Sequence, residues 1–310
     1  MLAGLGEQVN SRCQISAWSS LVVTFSRFIY RCQNVLTHLD LSWCGNYSRL
    51  SPAVLSNFLE RCGGNLSSLG LANCHAATTR VLFVVGIHCR RLTVLNLSNC
   101  HLLEPADFDP LSLMVELESL NLHRTKVGNR QIGDFLRSNR RLQHLRLSCC
   151  HYVQADEVCR LLAAIHPHLQ SLDLWRSASL TSAGVLSLVS LTLLRELDLG
   201  WCHGVNAAAG DCLLKVALSC SRLERLVLAA HRQLASREVV AAADAMASGL
   251  RQLDIMGTRH VGKSAVEYLL ASCPNMELLD VGYCEQLEDP VWLRELKEAH
   301  PECNIVNSLS

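Results

Sequence analysis

Residues 257–264, GTRHVGKS, have the spacing of a phosphate-binding P-loop: a glycine, four residues, then Gly-Lys-Ser. In such a loop the backbone amides surround a phosphate, the lysine contacts the outer phosphates and the hydroxyl binds magnesium. Lys263 and Ser264 would take these two roles. The chemistry also requires a strand and a helix on either side, at a crevice where a doubly wound sheet opens. Nucleotide hydrolysis is therefore a hypothesis that the surrounding elements must decide.

The sixteen cysteines are the second feature that could carry chemistry. No C-x-x-C pair and no Cys/His spacing typical of structural zinc occurs in the chain. G-x-S-x-G and H-E-x-x-H motifs are also missing. The sequence therefore predicts a non-catalytic protein with no catalytic residue, no metal site and no cofactor.

Composition narrows the class of protein further. Of 310 residues, 49% are hydrophobic and 18% charged, which favours a large core over disorder. The 28 basic and 28 acidic residues balance, so no overall charge attracts nucleic acid or an anionic membrane. The start, MLAGLGEQVNSRCQ, lacks a secretory signal, and the nearby segment LVVTF is too short for membrane insertion. We predict an intracellular protein of the cytoplasm or nucleus with reduced cysteines, although sequons at Asn46, Asn65 and Asn96 favour secretion.

A repeated pattern, L-x-x-L-x-L-x-x-C, organises almost the whole chain, as in leucine-rich repeats. Its ten copies are spaced by 25 to 30 residues and begin at Leu36, Leu66, Leu92, Leu117, Leu142, Leu169, Leu194, Leu223, Leu250 and Met276. Six copies end in cysteine, which we interpret as a buried packing residue able to donate to a backbone carbonyl: Cys44, Cys74, Cys100, Cys150, Cys202 and Cys284.

The period within each copy predicts its local structure. The fourth and sixth residues lie on one face of a short strand, and a helix-like segment leads to the next copy. Helix starts are expected at Ser51-Pro52, Thr181-Ser182, Ser236, Ser264 and Pro290. The predicted fold is α/β, a leucine-rich-repeat solenoid curved like a horseshoe, with parallel strands on the concave face and helices on the convex face.

Stability requires neighbouring repeats to stack, because ordering each residue costs about 1–2 kcal/mol of backbone entropy. Burying a large apolar side chain contributes only about 1.5–3 kcal/mol. We therefore expect capping segments at both ends. Residues 1–35 are predicted to form an N-terminal cap or partial first repeat. Residues 36–310 are predicted to hold the ten repeats and a C-terminal cap with a closing strand at Ile305.

The repeat frame also answers the question raised by residues 257–264. Gly257 and Thr258 are the eighth and ninth residues of the ninth copy, and Ser264 stands where a helix N-cap is expected. A solenoid has no switch point at which a phosphate loop would lie. The sequence thus predicts no nucleotide site, and Lys263 is interpreted as a solvated charge.

A partner would bind on the concave face, where the third, fifth, seventh and eighth residues of each copy point. Tryptophan and arginine, which are enriched at the energetic centres of protein interfaces, recur there. The predicted partner-binding residues are Trp43, His123, Arg124, Arg146, Trp175, Arg176, Trp201, Tyr283, Asp173, Asp198, Asp254 and Asp280. The alternative is that eighth-position side chains cover the strand rim for structural reasons only.

Aspartates at the fifth position form two neighbouring pairs, Asp173 with Asp198 and Asp254 with Asp280. Adjacent strands are about 4.8 Å apart, so each pair repels by roughly 1 kcal/mol even in water. We expect solvation to make this tolerable, with Arg146 one strand from Asp173. Either the aspartates are common repeat residues, or they form an acidic track for basic side chains of a client protein.

The cysteine-ended copies resemble the repeats of F-box/leucine-rich-repeat proteins, the substrate receptors of cullin-based ubiquitin ligases. The segments that carry the resemblance are LSWCGN at 41–46, HRTKV at 123–127, LDLWR at 172–176, LDLGWC at 197–202 and LDIMGTR at 253–259. The resemblance covers roughly residues 16 to 310 and includes Thr125 and Thr258 at ninth positions. It implies a module that presents client proteins for ubiquitination and proteasomal degradation, and it is compatible with mitochondrial association.

One departure from the family concerns residues 1–35, which lack the Leu-Pro start of an F-box. The Skp adaptor and a cullin are therefore expected as partners only if a longer form supplies an F-box. The alternative function is a free-standing leucine-rich-repeat scaffold without ligase activity.

Overall fold

In each of the ten copies, the third to fifth residues form a three-residue strand whose middle side chain is buried. The computed structural model describes residues 12–14, 35–44, 50–206 and 211–308. Parallel strands of successive copies pair in register, third position with third and fifth with fifth. The chain divides into two units, residues 1–142 and 143–310.

The first unit contains strands β1 to β5, paired in chain order. The strands are β1 Arg12–Gln14, β2 His38–Asp40, β3 Ser68–Gly70, β4 Val94–Asn96 and β5 Ser119–Asn121. Its helices are α1 Pro52–Cys62, α2 Thr79–His88 and α3 Asn129–Ser138, with 3-10 segments at Gly63–Asn65 and Pro105–Leu113. Each helical segment packs against that of the next repeat, as the solenoid requires.

The second unit continues the same pattern with strands β6 to β12, also parallel and in chain order. The strands are β6 His144–Arg146, β7 Ser171–Asp173, β8 Glu196–Asp198, β9 Arg225–Val227, β10 Gln252–Asp254, β11 Leu278–Asp280 and β12 Asn304–Val306. The helices are α4 Ala155–Ile165, α5 Ser182–Ser187, α6 Cys212–Ser219, α7 Ser236–Met246, α8 Lys263–Ser272 and α9 Pro290–Ala299, with a 3-10 segment at Leu188–Ser190. The predicted leucine-rich-repeat solenoid is confirmed, with one strand and one helical segment per repeat.

The ninth-position side chains lie at the edge of the core, beneath the turn that follows each strand. All six repeat cysteines are buried. The thiols of Cys100, Cys202 and Cys284 lie 3.1 to 3.2 Å from the sixth-position carbonyl oxygen of the preceding repeat. Burial raises the pKa of the Cys202 thiol to about 12, so the sulfur keeps its proton and donates. At His231 a ring nitrogen takes the same place, 2.8 Å from the carbonyl of Leu199.

The eighth residue of every repeat from Trp43 to Tyr283 has a left-handed backbone, with φ between 50° and 72°. In most repeats the N–H of this residue donates to the seventh-position carbonyl of the next repeat, as from Trp201 to Ala229 at 2.8 Å. The following N–H returns to the sixth carbonyl of its own repeat, as from Cys44 to Leu41. The turn thus extends the hydrogen-bonded stack beyond the strands, and this stacking fixes the left-handed conformation.

Four of the five predicted helix starts are confirmed and one is wrong. Ser51 and Thr181 are N-caps whose side chains accept a backbone N–H, and Pro290 is the first residue of α9 after the N-cap Asp289. Ser236 is the first residue of α7, as predicted, and Ala235 is its N-cap. At α8 the N-cap is Gly262 rather than the predicted Ser264, which is the second residue of the helix.

The predicted N-terminal cap, residues 1–35, lies outside the described residues except for β1 and Val35, as does the sequon at Asn46. At the other end, β12 pairs with β11, and Ile305 is buried opposite Leu279. Among the helices described, none has the length and apolar character needed to cross a bilayer.

Candidate functional site

A pocket of about 240 Å³ opens on the strand face of the second unit, the side of the sheet to which the odd-numbered repeat positions point. Four neighbouring strands, β6 to β9, contribute its walls. The lining residues are Arg146, Ser171, Leu172, Asp173, Glu196, Asp198 and Arg225. The parallel in-register pairing makes the pocket, since it stacks third positions in one row and fifth positions in the next.

Two carboxylates lie side by side in this pocket. Asp173 and Asp198 are register partners, as the sequence predicted. The expectation that both are solvated is wrong for Asp198, which is only 9% exposed. Burial, and next the charge of Asp173, raise the pKa of Asp198 to about 6. The pocket therefore concentrates negative charge that water does not fully screen.

Each fifth-position aspartate also has a local structural role. The Oδ1 atoms of Asp173 and Asp198 accept the N–H of Trp175 and Gly200, two residues later, at 3.0 Å. Such a side-chain bond holds the turn that ends the strand. This turn bond explains why the fifth position is polar in many repeats. An asparagine side chain could accept the same N–H, so the bond alone does not explain the negative charge.

The two arginines of the pocket differ in their contacts. A guanidinium nitrogen of Arg225 lies 3.7 Å from Oδ2 of Asp198, too far for a hydrogen bond but close enough for attraction. Arg146 is exposed, lies in register with Asp173, and makes no hydrogen bond or ion pair with any residue that the structure describes. One cation is thus partly paired, and the other is open to a ligand.

Beside the pocket, at the turns that follow β7 and β8, Arg176 lies against two tryptophan rings. Its guanidinium carbon is 4.6 Å from the ring centre of Trp175 and 5.3 Å from that of Trp201. The Trp175 ring packs so closely on Gly200 that a Cβ there would lie 2.9 Å from Cδ1 of the ring. Trp201 also meets His203 edge to face at 6.0 Å. We call Trp175, Arg176 and Trp201 the tryptophan–arginine cluster; it is partly exposed.

The other predicted residues of the second unit lie further along the same face. Asp254 and Asp280 are register partners, as predicted, and each is half-buried. Burial is the first cause that raises the pKa of Asp254. Tyr283 is 69% exposed at the last left-handed turn. These three residues do not line the pocket.

In the first unit, the predicted residues lie at the turns after β2 and β5. Trp43 is 70% exposed, Arg124 is exposed and His123 is half-buried. The N–H of His123 donates to Oδ1 of Asn121 at 3.0 Å, which repeats the turn seen at the aspartates.

The predicted set lacks Leu172 and the three polar residues that line the pocket: Ser171, Glu196 and Arg225. Glu196 and Arg225 are register partners at third positions, and the Ser171 hydroxyl donates to Glu196 at 2.8 Å. The sequence carries a signal for this pair of opposite charges, because third positions of neighbouring copies pair just as fifth positions do.

The P-loop-like segment does not form a phosphate loop. The amides of Gly257 and Gly262 donate to the carbonyl of Gly282 and to the Ser236 hydroxyl. Lys263 begins helix α8 with its side chain 38% exposed, and its ammonium also pairs with a carboxylate oxygen of Asp289 at 2.6 Å. Helix α9 of the next repeat begins beside it, which places this partner within reach.

Cysteines and histidines do not gather into a metal site in the parts of the chain that the structure describes. No group of three or more His, Cys, Asp or Glu side chains there could hold a metal ion. Of the fourteen cysteines whose side chains the structure describes, thirteen are buried and Cys149 is half-buried.

Comparison with known proteins gives both a family signature and a relative. The Leucine Rich Repeat family model matches residues 91–111. F-box/LRR-repeat protein 4 of Bos taurus is 35% identical over 224 residues, which cover 72% of this chain and 36% of the relative. The match thus spans about a third of that relative's length.

Among solved structures, a chain of the yeast Rad7 and Elc1 complex has a similar fold. It superimposes with a TM-score of 0.55 over 94% of this chain and 88% of its own length, at 15% identity. This likeness concerns the fold alone.

Proposed function

We propose that this chain, a leucine-rich-repeat protein related to the F-box/leucine-rich-repeat proteins, recognises client proteins for a cullin-based ubiquitin ligase. It acts as a non-catalytic subunit and presents the client for ubiquitination and proteasomal degradation. The 35% identity to an F-box/LRR-repeat protein supports the ligase role. The Skp adaptor and a cullin would join through an F-box supplied by a longer form.

The observation that carries client recognition is the choice of residues at the left-handed turns. Asparagine and glycine tolerate this backbone, and Asn73, Asn99 and Gly257 occupy three of the ten turns. Other residues lose about 1 kcal/mol there. Trp201 and Tyr283 nevertheless stand at such positions, and Tyr283 is 69% exposed. Selection for folding alone would favour asparagine, so binding is the better explanation.

The strand face of the second unit suits a protein partner in its chemistry. The tryptophan–arginine cluster offers flat, rigid surface at little entropic cost, as is typical of interface centres. The adjacent pocket adds charged groups of both signs. Such a pattern gives orientation and specificity, while the aromatic rings give affinity.

Affinity capture from cells with blocked proteasomes tests the proposal. The bait is the full 310-residue chain, and it is compared with Trp201→Asn, which keeps a residue that tolerates the left-handed turn. The matched control is Leu218→Ala, since Leu218 is 57% exposed on helix α6. We define clients as proteins whose captured amount falls at least fivefold with Trp201→Asn, relative to the parent chain, and stays the same with Leu218→Ala.

The half-lives of those proteins separate ligase from scaffold. In the ligase case, depletion of the protein lengthens client half-life and lowers client ubiquitination. Unchanged half-lives would favour the scaffold without ligase activity. If Trp201→Asn captures the same proteins as the parent chain, the strand face is not the client surface.

A further inference from the structure

The charged residues of the pocket follow an order across four neighbouring strands. Arg146 lies on β6, Asp173 on β7, Asp198 on β8 and Arg225 on β9. The pocket is therefore positive at both edges and negative in the middle. Its electrostatic complement is a cation in the middle with an anion at an edge.

The described residues neutralise the negative middle only in part, since Arg225 approaches Asp198 and no cation contacts Asp173. Asp173 accepts hydrogen bonds from the Ser148 hydroxyl and the Trp175 amide, both uncharged donors. Asp198 accepts the Gly200 amide, and Arg225 stays 3.7 Å away. The positive edge at Arg146 is likewise unpaired within the described part of the chain. The carboxylate of Asp173 and the guanidinium of Arg146 are thus left for a ligand.

The size of the pocket limits what enters it. Pockets for small-molecule ligands measure about 300–1,000 Å³, whereas this one measures about 240 Å³ and suits a single side chain. The described residues offer no metal-binding group here. An anion would meet three carboxylates, since Glu196 also lines the pocket.

We propose that the pocket between β6 and β9 takes a lysine or arginine side chain of the client between Asp173 and Asp198, while a neighbouring acidic residue of the client contacts Arg146. This inference rests on the proposed function, because it names the client feature that the strand face recognises. The tryptophan–arginine cluster beside the pocket packs on the rest of the client segment. The motif is thus a basic residue next to an acidic one.

The chain itself supplies variants that remove charge without disturbing the turn. Asn96 and Asn121 hold the fifth position in β4 and β5, and each accepts the N–H two residues later at 3.0 Å. Asp173→Asn and Asp198→Asn should therefore keep the backbone bond and lose the charge, and at position 173 the new amide nitrogen also replaces the oxygen that accepts the Ser148 hydroxyl. Asp40→Asn is the matched control, because Asp40 has the same bond to Ser42 but lies in β2.

Three blocked hexapeptides with the central pairs Lys-Glu, Gln-Glu and Lys-Gln, each flanked by glycines, test the inference. The readout is the NMR shift of the Trp175 and Gly200 amides, which donate to the two carboxylates. We expect Lys-Glu to bind at least fivefold tighter than Gln-Glu and about threefold tighter than Lys-Gln. An Arg-Glu peptide should match Lys-Glu within threefold.

The variants assign the two contacts. Asp173→Asn or Asp198→Asn should weaken Lys-Glu binding at least fivefold, and Asp40→Asn should leave it unchanged. Arg146→Gln should abolish the preference for Lys-Glu over Lys-Gln. Equal binding of Gln-Glu and Lys-Glu, or unchanged binding by both aspartate variants, overturns the inference. The titration uses no cellular partner, so its failure leaves the capture result of the proposed function standing.

Discussion

Asp198→Asn should stabilise the protein at neutral and alkaline pH. The carboxyl of Asp198 is 9% exposed and lies in register with Asp173. An amide keeps the bond to the Gly200 N–H and removes a charge that burial and Asp173 both oppose. The substitution therefore measures the free-energy cost of the buried negative charge while the turn keeps its hydrogen bond.

The magnitude follows from the pKa of Asp198, which is raised from 3.8 to about 6. Since one pKa unit corresponds to about 1.4 kcal/mol, ionised Asp198 lowers the free energy of unfolding by up to about 3 kcal/mol. The new amide nitrogen faces Arg225 and offsets part of the gain. We expect a net stabilisation of about 1–2 kcal/mol, or roughly 2–6 °C in melting temperature.

The pH dependence has a definite sign. Between pH 3.8 and about 6 the folded state holds a proton that the unfolded chain has released. The tighter proton binding of the folded state contributes to the free energy of unfolding near pH 4, and this contribution is lost as the pH rises through 6. The difference between Asp198→Asn and the parent chain should therefore be small at about pH 4 and largest at about pH 8.

Thermal unfolding followed by circular dichroism at these two pH values measures the difference. Asp40→Asn is the control, because its register partners, Gln14 and Gly70, carry no charge. It should change the melting temperature little at either pH. A destabilised Asp198→Asn at pH 8, or the same gain at both pH values, would refute the argument from burial and repulsion.

Three further predictions concern the turn, the core and the P-loop-like segment. Tyr283→Asn should raise the free energy of unfolding by about 0.5–1 kcal/mol in urea titrations, since Tyr283 is 69% exposed at φ 55°; a loss would show that its ring supports the fold. Cys202→Ala should lower that free energy by about 1–2 kcal/mol in the same titrations, because the Leu174 carbonyl loses its donor and a void remains; no change would mean the thiol bond is negligible. Millimolar ATP should leave the melting temperature unchanged in differential scanning fluorimetry, whereas a rise that Lys263→Ala abolishes would restore the nucleotide hypothesis.

The repeat frame could be predicted from the sequence because its constraints are local. A leucine at the fourth position and another at the sixth must face the core if a short strand forms, and ten copies repeat this demand in one phase. Helix starts were predictable where a capping side chain marks them, as at Ser51 and Thr181. They were not predictable at Gly262, which caps α8 without a side chain.

The candidate site was only partly predictable. Aspartate neighbours such as Asp173 and Asp198 followed from the frame, because equal positions of successive copies pair. Whether a carboxylate there is buried or solvated depends on side chains of other strands, and Asp198 was misjudged for that reason. The ion pair of Lys263 was not predictable either, since its partner Asp289 comes from the following repeat.

The sequence by itself determined the repeating unit, the identity of the buried residues and which side chains share the strand face. Those properties depend on the periodicity of apolar residues within one copy, which can be read from the amino-acid sequence. Only the tertiary structure decided the left-handed turn at the eighth position, the stacking of Arg176 on two tryptophans and the order of charges around the pocket. These depend on distances between residues about 25 positions apart, which exist only after the repeats have stacked.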